Sequence, residues 1–308
     1  MDTALYYKNL TPPEGKIDVI LDTDAFNEID DQFAICYMIG HSEKFNIKGI
    51  CAAPFFNNKV SAPAEGMEQS YEEILRLLQL THHEELKAIT YRGSETYLPN
   101  ETTPVASEAA SFMAELANQY SPKNPLYIVA IGAITNVASA VLMNPAMKEN
   151  CVIVWLGGRA LHMPQGCLEF NMKQDIPAAR VVFGCGIPLV QLPCRGVVDR
   201  FSTTKQELAH WMLGKNALCD YLYDCTVRHV EEHTKFSAWS KPIWDVTAIA
   251  WLLNTNGKYM QDQLLPSPIP QQDLTYGIDP SRHLIRYVSW IDRDALFDDL
   301  FQTLAKFL

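Results

Sequence analysis

Short runs of aliphatic and β-branched residues recur along this chain, and most are followed by a longer stretch with helical character. Runs that are apolar at every position, rather than at alternate ones, describe strands buried on both faces. The pattern predicts strands at residues 17–21, 47–52, 87–91, 127–131, 152–156, 189–192 and 283–291. Helices are predicted at 30–40, 67–80, 107–120, 135–143 and 176–183. A helical region runs from 205 to 233, another helix follows Asp245, and a closing helix starts at Asp294. Strands alternating with helices predict an α/β fold, an open and mostly parallel twisted sheet with helices on both faces. No Pro/Gly/Ser linker, repeat or low-complexity stretch interrupts the alternation, so residues 1–308 read as a single domain. In such sheets ligands bind beyond the carboxyl ends of the strands, so the chemistry is expected just after each apolar run.

Composition narrows the partners. Twenty-five basic against 36 acidic side chains leave a net charge of −11. A basic face for a phosphate backbone is therefore not expected, and no nucleic acid partner is read from this chain. The first ten residues lack the basic and apolar regions of a secretory signal, and the longest apolar stretch, 126–143, is broken by Gly132, Thr135 and Asn136. The expectation is a cytoplasmic protein without a membrane span. Eight cysteines, at 36, 51, 151, 167, 185, 194, 219 and 225, form no Cys-x-x-Cys pair, and several sit inside apolar runs. They read as reduced core thiols rather than as a zinc site or a disulfide framework.

After the first predicted strand comes Asp22-Thr23-Asp24-Ala25-Phe26-Asn27-Glu28-Ile29-Asp30-Asp31, four aspartates and one glutamate within ten residues. Clustered carboxylates supply the hard oxygen donors that calcium takes in flexible geometry. Asp30 and Asp31 also open a helix, where negative charge is favoured, so capping alone is the plainer account of that pair. An Asp-x-Asp at a strand's carboxyl end favours the metal reading, because so many carboxylates in one pocket repel unless a cation joins them.

This arrangement resembles the N-terminal fingerprint of the inosine-uridine nucleoside hydrolase family, a strand, Asp-x-Asp, a short loop and Asp-Asp opening a helix. The family pattern has three residues between the second and third aspartates, whereas this chain has five, residues 25–29. The resemblance continues in order. Asn57 or Asn58 stands where the family has a substrate asparagine. Gly132-Ala-Ile-Thr135-Asn136-Val-Ala is similar to the family's Gly-Pro-Leu-Thr-Asn-Val-Ala turn, and Gly157-Gly158 with Glu169-Phe170-Asn171 resembles its Gly-Gly and Glu-Phe-Asn. Asp245, after Trp244, resembles the C-terminal metal aspartate.

The resemblance implies the nucleoside hydrolase fold with its Rossmann-like core, and cleavage of a nucleoside N-glycosidic bond. Calcium would be held by Asp24, Asp31, Asp245 and the Thr135 carbonyl, and the ribose hydroxyls would complete its shell. Asp24 would act as general base and Asp30 would accept from the 2′-hydroxyl. Asn57, Glu169 and Asn171 would fix the ribose. The transition state would have oxocarbenium character, which carboxylates around the sugar stabilise. Homodimers or homotetramers are the assemblies implied.

Two departures carry consequences. Inosine-uridine members place a histidine before the C-terminal aspartate, but here Trp244 stands there. That Trp-Asp pair is similar to the purine-specific branch, in which stacking on the base replaces an acid. Where many members carry an asparagine between Gly158 and Glu169, this chain offers His162 or Met163. His229, His233 and Trp239 are further candidates for touching the base, from a helical segment overhanging the pocket.

Other readings compete. His229-Val-Glu-Glu232-His233 matches the His-x-x-Glu-His of some zinc peptidases but lacks an evident third ligand. Asp22-x-Asp24 also fits aspartyl phosphatases, which want Thr or Val where Phe26 stands. A nucleoside- or ribose-binding protein without turnover, or a hydrolase of another ribosyl substrate, would use the same cage.

Overall fold

The computed structural model describes residues 2–308. Eight strands form the central sheet: β1 Ile17–Thr23, β2 Phe45–Ala52, β3 Thr90–Tyr91, β4 Leu126–Ala130, β5 Cys151–Leu156, β6 Leu189–Leu192, β7 Met260–Pro266 and β8 Leu284–Ile291. Their spatial order is β3-β2-β1-β4-β5-β6-β8-β7. All pairings from β3 across to β8 are parallel, and β7 alone runs antiparallel, along the β8 edge. β4 and β5 are buried at every position, because helices cover both faces, and this is why they read as unbroken apolar runs.

The chain winds outward from β1 in both directions, through β2 to β3 on one side and through β4, β5 and β6 on the other. The carboxyl ends of β1 and β4 therefore flank the point where the strand order reverses, and a crevice opens there. Two apolar layers lie against the sheet. One gathers the Asp30–Gly40 helix, Pro63–Leu80, Val246–Trp251 and Arg293–Leu304, and the other gathers Glu108–Leu116, Thr135–Met143 and Ile176–Gly184.

Most predicted elements appear within a few residues of their expected limits. The strand expected at 87–91 is mainly a 3-10 turn, Glu84–Ile89, leaving only Thr90–Tyr91 to pair with β2. The helical region 205–233 is two helices, Lys205–Trp211 and Ala217–His233. β7 has no counterpart in the apolar pattern, because its exposed edge position lets Gln261, Asp262 and Gln263 stand where an inner strand would be apolar. Six of the eight cysteines are buried, in keeping with their apolar settings. Among the described residues no helix is long and apolar enough to cross a membrane.

Candidate active site

The Asp30–Gly40 helix starts without a side-chain cap, Ile29 occupying the cap position, and residues 30–39 are all buried. Its first two side chains are therefore carboxylates sunk at the positive end of a helix, directly beside the end of β1. Thr23 donates its hydroxyl to Asp31 Oδ1 at 2.5 Å. Asp245 arrives from the far end of the chain, at the start of the Val246–Trp251 helix. Carboxylate oxygens of Asp30, Asp31 and Asp245 all lie within 4.8 Å of one another, and among the described residues this is the one group of His, Cys, Asp or Glu close enough to share an ion. Asp24 faces the same space. Burial first, then Asp31 and Asp30, holds its carboxyl well above the ordinary range, and its Oδ2 is buried without a hydrogen-bond partner. Burial and then Asp30 and Asp31 do the same to Asp245.

Four buried acids with an orphaned oxygen are what a hard divalent cation would satisfy. The donor set fits. Asp22 is engaged elsewhere, since its Oδ1 accepts from Asn136 at 2.8 Å, and burial pushes its carboxyl up to about 7. Burial, then Asp30, pushes Asp31 up to about 7 as well. A carboxyl raised on folding stabilises the protein below the ordinary carboxylate range and loses that contribution as pH rises through its folded value. Without a divalent ion, Tm should therefore fall between about pH 5 and pH 8, and excess calcium should reverse most of that fall. Thermal melts with a chelator and with calcium across that range check this, and a chelated protein most stable at pH 8 would contradict it.

The acids open into a cavity of about 440 Å³ lined in part by Ile131, Leu156, Glu169, Asn171, Trp244 and Asp245. Gly132 sits so near that a Cβ there would lie 3.0 Å from Asp24 Oδ1. Gly158 holds φ at +83°, and a Cβ there would collide with the Tyr276 hydroxyl. Glu169 caps its own helix. Its carboxylate accepts from the backbone N–H groups of Gly158, Asn171 and Met172 at 2.8, 2.9 and 3.0 Å. Asn171 ties the ends of β4 and β5 together, donating its amide to Ile131 O at 2.8 Å and Leu156 O at 3.1 Å.

Asp24, Asp30, Asp31, Asp245, Glu169, Asn171 and Trp244 thus line one cavity. Thr135 does not line the cavity. Its hydroxyl donates to Asp175 Oδ2 at 2.7 Å, and Asn136 beside it joins Asp22, Ala52 and Ser94. The β4 end reaches the cavity through Ile131 instead, before the helix begins. Asn57 stands behind Asn27, donating to its Oδ1 at 2.9 Å, and Asn58 is exposed. His162 is exposed, while Met163 packs on the core beside Gly196. His233 is exposed, its ring stacked 4.8 Å from that of His229. Trp239 lines a separate surface groove with Lys205 and Phe236.

The longer loop at 25–29 puts Asn27 and Glu28 on the cavity wall. Lys241, which no sequence signal singled out, is buried and ion-paired with Glu28, with its Nζ 4.0 Å from Asp30 Oδ1 and 4.4 Å from the centre of the Trp244 ring. Burial alone would depress this amine, but Asp30 and Glu28 hold it above its ordinary value. Burial, then Lys241 and Lys59, drives His229 down to about 4, leaving it neutral near pH 7. Only its place just before Trp244-Asp245 could have flagged Lys241.

The crevice at the sheet's reversal point is thus floored by acids and walled by an aromatic ring, on an α/β fold. The sequence model described as inosine-uridine preferring nucleoside hydrolase matches residues 19–283, and the chain belongs to that family. A pyrimidine-specific ribonucleoside hydrolase RihA of Enterobacter sp. (strain 638) is 26% identical over 229 residues, covering 68% of this chain and 70% of the relative. Among solved structures, the plant nucleoside hydrolase PpNRh1 superposes with a TM-score of 0.75 at 18% identity, covering 94% of this chain and 99% of the other. The purine-preferring ribonucleoside hydrolase from Gardnerella vaginalis gives 0.72 at 19% identity, covering 94% and 98%. This chain is accordingly a glycosyl hydrolase enzyme whose substrate class is the ribonucleoside, a small molecule.

Proposed function

We propose that the chain hydrolyses ribonucleosides to ribose and free base with a calcium ion bound among Asp24, Asp31 and Asp245, Asp30 lying alongside. The observation that carries this is the meeting of three buried carboxylates from opposite ends of the chain within 4.8 Å, at the sheet's reversal point. When bound, a divalent ion there supplies an anchor for the ribose diol and acidifies a water molecule. Asp24, whose Oδ2 lacks any hydrogen-bond partner, takes the proton from the attacking water as it adds to the anomeric carbon. Asp30 accepts from the 2′-hydroxyl. Glu169 and Asn171 border the 5′ end of the sugar, and the Asn171 Oδ1 is the amide atom left for it, since Nδ2 is already bonded twice.

The base lies against Trp244. Lys241 lies over the same ring, so a stacked base takes the opposite face, and the ring carries a cation on one side and the leaving group on the other. We assign a purine preference on this stacking surface, although the RihA relative is named as pyrimidine-specific. A panel of inosine, guanosine, uridine and cytidine assayed with calcium tests the whole reading. Trp244→Ala should lower purine kcat/KM by roughly 10- to 100-fold, the loss expected for one base stacked on an aromatic ring, with calcium affinity little changed. Equal efficiency on uridine and inosine in the unaltered enzyme would remove the purine assignment.

A further inference from the structure

The cavity has a second, oppositely charged end. Arg159 and Arg195 both line it, as does Lys173, three cations at the opening of a pocket whose floor is four aspartates. The two arginines are neighbours by construction. They pair across a one-residue parallel bridge, held by Ala160 N donating to Arg195 O at 2.8 Å and Cys194 N to Gly158 O at 2.9 Å. Among the described residues neither guanidinium has a protein counter-ion, while five of the chain's ten arginines, Arg76, Arg92, Arg180, Arg286 and Arg293, are ion-paired. The Arg159 Nε is moreover buried with no hydrogen-bond partner at all. The acids on the floor are served by a different cation, Lys241, and the Glu169 carboxylate is filled by three backbone N–H groups. These arginines are therefore not there to balance the acids.

Their position says what they face. Arg159 directly follows Gly158, whose N–H binds Glu169, and Lys173 follows Asn171 within the same short helix. The groups bordering the sugar's 5′ end are thus flanked on both sides by positive charge. Arg159 is half-buried and Arg195 exposed, but the buried Arg159 Nε would stay without an acceptor beside a neutral 5′-hydroxyl that bonds elsewhere, whereas a phosphate accepts the planar fork of an arginine through two oxygens. We propose that the substrate carries a phosphate on its ribose 5′-oxygen, a nucleoside 5′-monophosphate, gripped by Arg159 and Arg195 with Lys173 nearby. This rests on the reading of the acids as the ribose end of the site.

Two measurements on the calcium-loaded, full-length protein test it. The first compares kcat/KM for inosine 5′-monophosphate with inosine, and uridine 5′-monophosphate with uridine, by release of free base. The phosphorylated member of each pair should be preferred, and Arg159→Gln with Arg195→Gln should cut that preference by about 10- to 100-fold, the value of charged hydrogen bonds. Turnover of nucleosides with no preference for the phosphate, or a preference that the double variant leaves intact, would overturn the inference while the hydrolase reading stood. The second measures binding of ribose 5-phosphate against ribose to the unaltered protein by calorimetry, and needs neither turnover nor a variant. Tighter ribose 5-phosphate binding supports the subsite even if no base is released, an outcome that would sink the hydrolase reading alone. Equal binding of the two sugars overturns it.

Discussion

Asp24→Asn should lower kcat/KM for nucleoside hydrolysis by about 10³- to 10⁴-fold, the upper range for removal of a positioned general base, while the protein still folds. The substitution keeps the side chain's shape and removes the one group in the cavity that is both an orphaned acceptor and within reach of the other acids. It also relieves repulsion, because Asp31 and Asp30 both push the Asp24 carboxyl upward. The variant should consequently melt no lower than the unaltered protein in chelator at about pH 8, since a neutral amide replaces a buried charge. Steady-state assays with circular dichroism melts give both readouts. Activity within about tenfold of the unaltered enzyme would assign the proton to another group.

The second large effect concerns the ion. Asp31→Asn combined with Asp245→Asn should weaken calcium binding by at least about 100-fold and abolish the calcium-dependent rise in Tm, because two of the three converging carboxylates are lost. Thr135→Val supplies the contrast. It removes the hydroxyl donated to Asp175, at a cost of roughly 1–3 kcal/mol for a buried acceptor losing a partner, but it should leave calcium affinity unchanged. Titration calorimetry on these two variants and the unaltered protein decides the matter. Thr135→Val keeps the backbone carbonyl that the resemblance implies as a ligand, so calcium binding as weak as in the double aspartate variant would show that the hydroxyl's bond to Asp175 is needed to hold the site together.

The Thr135 case shows how far a motif carries. Thr-Asn-Val-Ala reads as a functional turn because its order matches the family. In the structure the hydroxyl and the Asn136 amide knit β1, the end of β2, the segment after β3 and the Asp175 loop together, beneath the site rather than inside it. Glu169 is similar. Its carboxylate is saturated by backbone donors, so it shapes the wall before it touches any sugar. His162 and Asn58 miss the cavity for a simpler reason, since loop residues a few positions past a strand end can face either way, and both are exposed.

The fully apolar strands, their alternation with helices and the acidic segment from Asp22 to Asp31 are legible in the chain alone, because each is written in neighbouring residues through pleat, helical period and local charge. It took the folded chain to show that Asp245 meets Asp30 and Asp31, that Ile131 rather than Thr135 lines the cavity, that Lys241 is buried between Glu28 and Asp30, and that Arg159 and Arg195 share one rim. Those meetings join residues far apart in the chain. They depend on the order in which parallel strands are laid down, which side-chain periodicity does not encode.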